Sequence, residues 1–446
     1  MTNLQIRPKE RDAIIQSLRA GVVPRVGQRH VQVGRVKELE ALLSDIERIA
    51  DGGSGIRFVI GEYGSGKTFF LHLVRMVAME KKLVATHADL TPDRRLYGGS
   101  GYARSLYAEL MRNIATRTRP EGGALASIVE KFVSSAIQTA RGTSVDTEQV
   151  ILERLDALSE MVGGYDFAQV ISAYWSAHDT GNEQLKSDAI RWLRGEFSTK
   201  TDARRALGVR TIVDDSNVYD QLKLMARFIR LAGYSGFMVC LDELVNLYKL
   251  SNTQARNTNY EQILRILNDS LQGSSVGLGV LMGGTPEFLM DTRKGLYSYQ
   301  ALQTRLAENS FAVGGLVDMT GPVLRLSNLE PEDLFVLLSK IRHVYAWGDT
   351  TQYLIPDAGL TSFMTHCSKR IGDAYFRTPR NTITAFVDLL AVLDQNPGKK
   401  WDDLIESVSI PTDVNPDLVP LAADDGNGDE GQHDETDDDE LSSFSL

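Results

Sequence analysis

Apolar residues along this chain follow two kinds of pattern: short continuous runs and spaced repeats. Short runs rich in apolar residues occupy five segments, at residues 57–60, 83–88, 237–241, 276–282 and 323–326, and the run at 237–241 is apolar throughout. Runs of this length are typical of strands that are buried on both faces of a parallel sheet. In other stretches apolar residues recur every three or four positions, which is typical of amphipathic helices. On this ground helices are predicted at 7–21, 36–50, 67–82 and 260–271.

A long helical region interrupts the strands. The gap between the strands at 83–88 and 237–241 is far longer than the dozen or so residues that a simple crossover between parallel strands needs. Helical repeats fill this gap, broken by clusters rich in Gly and Pro. We therefore expect a helical insertion at about residues 118–215.

The pattern becomes entirely helical after Pro331, with helices predicted at 332–345, 357–371, 381–393 and 401–408. Strands alternating with helices, followed by helices alone, predict an α/β protein with a parallel sheet and a C-terminal helical lid domain. The predicted organisation is an N-terminal lead at 1–35 with a short β-like piece at 31–33, a core at 36–328, the lid at 329–410 and a tail at 411–446.

Charge is concentrated at the end of the chain. The net charge is −11, but ten acidic residues and no Lys or Arg follow from Asp424 onward, so residues 1–423 carry a net charge of −1. A tail of this composition is typical of disorder. It could act as a solubilising segment, or it could dock a partner or imitate nucleic acid.

Composition limits the kinds of site and the cellular compartment that the sequence predicts. The two cysteines, Cys240 and Cys367, belong to no CxxC or Cys/His cluster, so neither a disulfide framework nor a zinc site is supported. No apolar run approaches the ~18 residues of a membrane span. The polar start of the chain lacks the apolar stretch of a secretory signal. We expect a cytoplasmic protein without membrane contact.

The most specific motif is the sequence GEYGSGKT at residues 61–68, which fits G-x-x-x-x-G-K-[ST] at every defined position. A predicted strand precedes it and a predicted helix follows it, as a phosphate-binding loop requires. Glycines let backbone N–H groups face the phosphate oxygens, while the lysine reaches the β- and γ-phosphates and the Thr hydroxyl binds magnesium. The motif predicts ATP and Mg²⁺ as ligands. The predicted nucleotide-binding residues are Gly61, Glu62, Tyr63, Gly64, Ser65, Gly66, Lys67, Thr68 and Phe69, and Lys67 is also a predicted catalytic residue.

An acidic pair, Asp242 and Glu243, follows the apolar run at 237–241. In open α/β sheets ligands bind at the carboxyl ends of the strands. Asp242 is therefore predicted to hold magnesium together with Thr68, and Glu243 to orient and deprotonate the attacking water.

Thr285 follows the strand predicted at 276–282 and precedes Pro286. Its hydroxyl could contact the γ-phosphate or the attacking water, which would make it catalytic. It could equally cap the next helix, with Pro286 in the first helical turn. The two roles are compatible.

Two arginines are candidates for stabilising charge on the γ-phosphate. Arg305, on a helix predicted at 301–309, could project into the site of a neighbouring subunit and act in catalysis. Arg380 opens a lid helix and could reach the nucleotide of its own subunit. Either could instead be an ordinary surface arginine. Gly34 and Arg35, next to the β-like piece, could line the adenine.

The order of these motifs resembles the AAA+/STAND class of P-loop ATPases, and the parallel-sheet core is therefore expected to be AAA+-like. More narrowly, the chain resembles the ATP-binding proteins of BREX-type phage-defence systems (the BrxD-like family). The blocks that carry this resemblance are SLRAGVVP at 17–24, the phosphate-loop motif, LDELVNLYK at 241–249, GGTPE at 283–287, and GLYSYQAL at 295–302 leading to Arg305. The resemblance spans about residues 7–395. It implies a homo-oligomeric ATPase that works beside a helicase-like partner against phage DNA.

Two functions are consistent with these features. The first is an oligomeric ATPase that acts on DNA or loads a DNA-acting partner, for which clusters of Arg and Lys at 19–35 and 191–210 are possible contacts. The second is a regulatory switch that binds nucleotide and contacts proteins only. A dehydrogenase is excluded because no G-x-G-x-x-G opens a βαβ unit.

Overall fold

Five parallel strands form one sheet in the computed structural model, which describes residues 6–143, 145–312, 316 and 318–406. The spatial order of the strands is β2-β3-β4-β1-β5. Their bounds are β1 Gly55–Ile60, β2 Val84–Asp89, β3 Phe237–Asp242, β4 Leu278–Gly284 and β5 Val323–Arg325. Every residue of β1, β3 and β4 is buried, because helices cover both faces of the sheet. The prediction of an α/β protein with five parallel strands is confirmed.

Helices connect the strands and extend the chain at both ends, and their numbers below are those of the described residues. Two helices precede β1 and one follows it: α1 Pro8–Arg19, α2 Val36–Ala50 and α3 Lys67–Glu80. Seven lie between β2 and β3: α4 Tyr102–Arg112, α5 Leu125–Thr143, α6 Thr147–Leu155, α7 Gly164–Thr180, α8 Glu183–Leu193, α9 Lys200–Leu207 and α10 Val218–Leu231. Four lie between β3 and β5: α11 Val245–Tyr248, α12 Thr253–Leu271, α13 Pro286–Met290 and α14 Gln300–Leu306. Five follow β5: α15 Pro331–Tyr345, α16 Asp357–Ile371, α17 Ala374–Arg377, α18 Arg380–Gln395 and α19 Trp401–Ile405.

The helices between β2 and β3 share one apolar core with the sheet. Phe228 of α10 packs against Phe132 of α5 and Phe167 of α7, with ring centroids 5.2 and 5.5 Å apart. Phe167 also contacts Trp192 of α8 edge-on. These residues belong to the same buried cluster as the apolar residues of β3. The inserted helices are therefore continuous with the sheet core, and the proposed limits of the insertion at 118–215 stay a prediction.

The N-terminal helix packs on helices that follow β5; α15 to α19 are called the lid below, and the limits of a lid domain at 329–410 stay a prediction. Ile14 of α1 is fully buried in one apolar cluster with Leu338 of α15 and Phe386 of α18. The prediction of a β-like piece at 31–33 is wrong. A single 3₁₀ turn, Gln28–His30, precedes it, and Val31 is buried in the lid cluster. The valines of the segment at 31–33 pack against helices. Within the described part of the chain, this segment pairs with no strand.

The described residues end before the acidic tail that the sequence predicts at 411–446, and that tail lies outside them. The last predicted helix, at 401–408, is observed as α19, and residues 407–408 also lie outside the described part. Searched over the residues that are described, no helix has the length and apolarity needed to cross a membrane.

Truncating Ile14 tests whether α1 is an integral part of the lid. We expect Ile14→Ala to lower the free energy of unfolding by about 2–4 kcal/mol in urea denaturation, because it leaves a cavity in a packed core. The matched control is Ile15→Ala, which removes the same atoms from a partly buried neighbour and should cost less than half as much. Equal losses for the two variants would contradict this assignment.

Candidate functional site

The loop between β1 and α3 wraps around its own lysine. Gly64 and Gly66 have φ angles of 76° and 86°, in the left-handed region that glycine adopts without strain. The Lys67 Nζ donates hydrogen bonds to the carbonyl oxygens of Gly61 and Glu62, both at 2.9 Å. The loop and the first turn of α3 thus form a curved cradle with the ammonium at its centre. Backbone N–H groups at such a helix start favour anionic ligands.

The end of β3 meets the start of α3 at a hydrogen bond between side chains. The Thr68 hydroxyl donates to Asp242 Oδ2 at 2.7 Å, and the backbone N–H of Glu243 donates to Asp242 Oδ1 at 2.9 Å. Asp242 is only 6% exposed. On the strand between them, a Cβ at Gly283 would lie 2.4 Å from Asp242 Oδ1. The carboxylate therefore fits only because position 283 has no side chain.

Glu243 holds an unusual backbone conformation beside this pair. Its φ is 56°, in the left-handed region, which an ordinary side chain adopts at a cost in free energy. Glu243 lines the same cavity as Lys67 and Thr68. The turn after β3 therefore places Glu243 at the wall of the cavity, while Asp242 stays buried.

Asp89 is an acidic residue that sequence reasoning missed. It ends β2, and its Cα pairs with that of Asp242 on the neighbouring strand. Burial raises the pKa of the Asp89 carboxyl, and the nearby Asp242 raises it further. The signal available in the sequence was an acidic residue at the end of a predicted strand, as for Asp242.

The cavity in front of the loop has an apolar side that three parts of the chain build together. Apolar side chains line it from the N-terminal segment and from the lid: Leu18, Val22, Val23, Pro24, Val31, Val33, Leu329, Leu337 and Ile383. Tyr63, Gly64, Ser65, Gly66, Thr68 and Phe69 close the opposite side. A polar, cationic cradle next to an apolar slot suits a ligand with phosphates and a flat aromatic part.

Arg35 fastens the loop to the lid side of the cavity. It is the N-cap of α2, with a φ of 58°, and its guanidinium donates hydrogen bonds to the carbonyl oxygens of Ser65 and Gly66. Burial lowers the pKa of Arg35, and the carboxylates of Glu38 and Asp333 partly offset that shift. A Cβ at Gly34 would lie 3.2 Å from Asp333 Oδ2, so the small residue lets the lid approach.

Arg380 reaches the same cavity from the lid. It is the first residue of α18, and its Nη1 donates to the hydroxyl of Tyr63 at 2.5 Å. Its guanidinium carbon lies 4.9 Å from the centre of the Tyr63 ring. The lid and the phosphate loop therefore meet at a cation on an aromatic ring.

Thr285 and Arg305 lie outside the lining of this cavity. The Thr285 hydroxyl accepts a hydrogen bond from the Phe288 N–H at 3.4 Å and caps α13, as the capping alternative predicts. Arg305 is exposed on α14, where its Nε donates to Asn268 Oδ1 at 2.7 Å. The structure thus brings together Lys67, Thr68, Asp242, Glu243, Arg35 and Arg380, and leaves these two apart.

The donor set suits a hard cation. The Thr68 hydroxyl and the Asp242 carboxylate are oxygen donors, the type that Mg²⁺ prefers. No group of three His, Cys, Asp or Glu residues that could hold a metal ion occurs among the residues described. A cation bound at Thr68 and Asp242 would therefore need oxygens from the ligand or from water.

Comparison with known proteins places the chain in a family. A family model described as "BREX system ATP-binding protein BrxC/D" matches residues 6–409, which include the N-terminal segment, the loop, the acidic pair and the lid. No curated protein matches the chain. The matched range covers most of the 446 residues. The chain therefore belongs to the BrxC/D family of ATP-binding proteins of BREX systems.

Proposed function

We propose that this ATP-binding protein hydrolyses ATP to ADP and phosphate at the cavity between the phosphate loop and the lid. The observation that carries the proposal is the contact between Thr68 and Asp242, with Glu243 facing the same cavity. A protein that only bound nucleotide would need the cradle but would not need a second carboxylate aimed at it.

The roles of the residues follow from their positions. The N–H groups of the loop and the ammonium of Lys67 bind the phosphates. Glu243, which lines the cavity just after the end of β3, orients a water for in-line attack and accepts its proton. Arg35 holds the carbonyl oxygens of Ser65 and Gly66, so that it positions the loop and does not itself react.

Thr68 and Asp242 would hold Mg²⁺ here. When bound, the cation neutralises charge that develops on the phosphate oxygens. Because Asp242 is buried and already bonded to Thr68, its carboxylate is ordered before any ligand arrives. Ordering of this kind reduces the reorganisation that catalysis would otherwise require.

The apolar slot accounts for the base and sugar of ATP. Val22, Val23 and Pro24 on one side and Leu337 and Ile383 on the other bound a space of apolar character. Burial of an adenine ring there is favourable at about 25 cal/mol per Å² of apolar surface. Arg380, at the lid's edge of the slot, would contact the phosphates and so report their presence to the lid.

In the cell we propose that this ATPase serves BREX defence by acting on DNA with a helicase-like partner, as a homo-oligomer with an AAA+-like core in the cytoplasm. Family membership supports the defence role and the presence of other system proteins. Arg305 supports assembly, because it is exposed on α14, where a neighbouring subunit could receive it. Thr285, which follows β4 directly, would contact the γ-phosphate in addition to capping α13.

A second candidate, a regulatory switch, is favoured by one observation. The nucleotide cavity is shared by the N-terminal segment, the loop and the lid, and α1 packs on the lid through Ile14. Nucleotide would therefore contact the phosphate loop and the lid at once, and its binding would change the position of the lid relative to the loop. Such a switch could hydrolyse slowly and contact proteins only.

Removing the proposed base tests hydrolysis directly. We expect Glu243→Gln to lower the ATPase rate at least about 100-fold, because the amide cannot accept the proton of the attacking water. Nucleotide binding should persist, and light scattering should show an oligomer trapped with ATP. The matched control is Glu287→Gln, an exposed carboxylate on α13 at the same end of the sheet, which should hydrolyse as fast as wild type.

The same assay, repeated with single- and double-stranded DNA, separates the two candidates. Stimulation by either DNA supports the DNA-acting machine. Hydrolysis that ignores DNA, together with assembly that follows nucleotide alone, supports the switch. A Glu243→Gln protein as active as wild type would show that another group is the base.

Removing the lid arginine tests whether it contacts the phosphates. We expect Arg380→Ala to weaken ATP binding about tenfold in calorimetric titrations, with a smaller effect on ADP, because a charged hydrogen bond to the γ-phosphate is lost. The matched control, Arg377→Ala, removes an exposed arginine that pairs with Asp373 one turn earlier. The assignment fails if the two variants bind ATP equally well.

A further inference from the structure

A polar face of α3 leads away from the nucleotide cavity. Thr68, His72 and Arg75 are spaced four and three residues apart, so they share one face of the helix. A small cavity beside them is lined also by Asp89 and Asp242. Because Thr68 lines both this cavity and the nucleotide cavity, the metal-binding pair has space on two sides.

This small cavity adjoins a wider one. The wider cavity has a volume of about 200 Å³ and shares His72, Arg75 and His87 with the small one. Its outer wall is formed by residues 25–29, where Arg25 is exposed, and by Glu121. A row of polar groups therefore connects the metal-binding pair with the surface, on the side of α3 away from the apolar slot.

The wider cavity contains buried groups with unused hydrogen-bonding capacity. Arg75 is 8% exposed and donates one hydrogen bond, from Nη2 to the carbonyl oxygen of Pro120 at 2.6 Å. Within the described part of the chain, Arg75 Nε, His87 Nδ1 and Gln28 Oε1 are buried and have no hydrogen-bond partner. Buried polar atoms of this kind need a polar ligand or water.

The two histidines contribute no charge to the cavity. Their rings contact each other edge-on, with centroids 5.2 Å apart. Burial, reinforced by the charge of Arg75, lowers the pKa of His72 to about 4 and that of His87 to about 3. Both imidazoles are therefore neutral near pH 7, and each offers one N–H donor.

The remaining charges favour an anion. Arg29 pairs with Glu10 at 2.9 Å, so these two cancel. Arg25 and Arg75 then face the single carboxylate of Glu121, which leaves the wider cavity with a net positive charge. A cavity with a buried guanidinium and several N–H donors suits a small oxyanion.

The inner end carries the opposite charge. Asp89 and Asp242 line the small cavity next to Thr68. These carboxylates repel an anion, so phosphate that comes from the nucleotide side meets a barrier there before the arginines of the wider cavity attract it. Once phosphate has reached the wider cavity, the same barrier opposes its return to the site of hydrolysis.

We propose that the wider cavity is a phosphate-binding site through which the phosphate released by hydrolysis leaves, while ADP leaves by the apolar slot. This inference rests on the proposed ATPase activity. The small cavity, at about 20 Å³, has room for about one water. Passage of phosphate therefore requires rotation of the His72 or His87 side chain, which makes this pair a gate.

Transient kinetics on the full chain test the exit route. Quench-flow measures the hydrolysis burst, a fluorescent phosphate sensor measures phosphate release, and a fluorescent ADP analogue measures ADP release. We expect Arg75→Gln to slow phosphate release about tenfold, because the main charged donor is lost, while the burst and ADP release keep their wild-type rates. Arg25→Glu, at an exposed position, should slow phosphate release several-fold in the same way.

The matched control is Arg117→Gln. It removes an exposed arginine that pairs with Glu80 at the end of α3, outside the cavity, and should leave all three rates unchanged. In water labelled with ¹⁸O, the two cavity variants should release phosphate with more water-derived oxygens, because phosphate that stays longer on the protein exchanges more. Damage to the fold alone would not raise this exchange.

The outcomes separate this inference from the proposed function. Wild-type rates of phosphate release in Arg25→Glu and in any folded Arg75→Gln, with the burst intact, would overturn the exit route and leave the ATPase proposal standing. Absence of ATP hydrolysis in the wild-type protein would overturn both.

Discussion

The hydrogen bond between Thr68 and Asp242 is the contact on which the site depends. It joins the first turn of α3 to the end of β3, across the intervening strand β4. The contact requires parallel strands, whose carboxyl ends meet at one edge, and it requires a glycine at position 283, where a Cβ would collide with the carboxylate. Both requirements are properties of the sheet. The strand order and the small residue on β4 therefore determine together whether the Thr68–Asp242 contact can form.

A second set of contacts joins the phosphate loop to the lid helices. Arg35 bonds to the loop while the carboxylate of Asp333, on the first lid helix, lies beside it. Arg380 meets Tyr63 from the other end of the lid. Because α1 packs on the lid helices, the N-terminal segment that lines the apolar slot is attached to the lid. The nucleotide cavity thus lies between the phosphate loop and the lid, and binding or release of nucleotide there would change the contacts between them.

Much of this arrangement could be predicted from the sequence. Short runs rich in apolar residues indicated all five strands, because strands buried on both faces show little alternation of apolar and polar residues. The loop motif and the acidic pair were recognisable because phosphate and cation binding demand particular residue types at fixed spacings. Their meeting at one edge followed from parallel topology alone.

Other features depended on contacts that no local pattern carries. The segment at 31–33 has the composition of a strand, yet its valines pack on lid helices from the far end of the chain. The apolar slot combines residues near position 22 with residues near positions 337 and 383. The polar cavity behind α3 brings His72 and His87 together from a helix and a strand. Such juxtapositions arise from tertiary packing and become visible only in three dimensions.

The most direct test of the central claim is a calorimetric titration of ATP with and without Mg²⁺, for the wild-type protein and for Asp242→Asn. If Thr68 and Asp242 form the cation site beside the phosphates, Mg²⁺ should tighten ATP binding to the wild type. Because the amide carries no charge, that gain should be lost in the variant, while binding of ATP without Mg²⁺ stays similar. An equal gain from Mg²⁺ in both proteins would contradict the account.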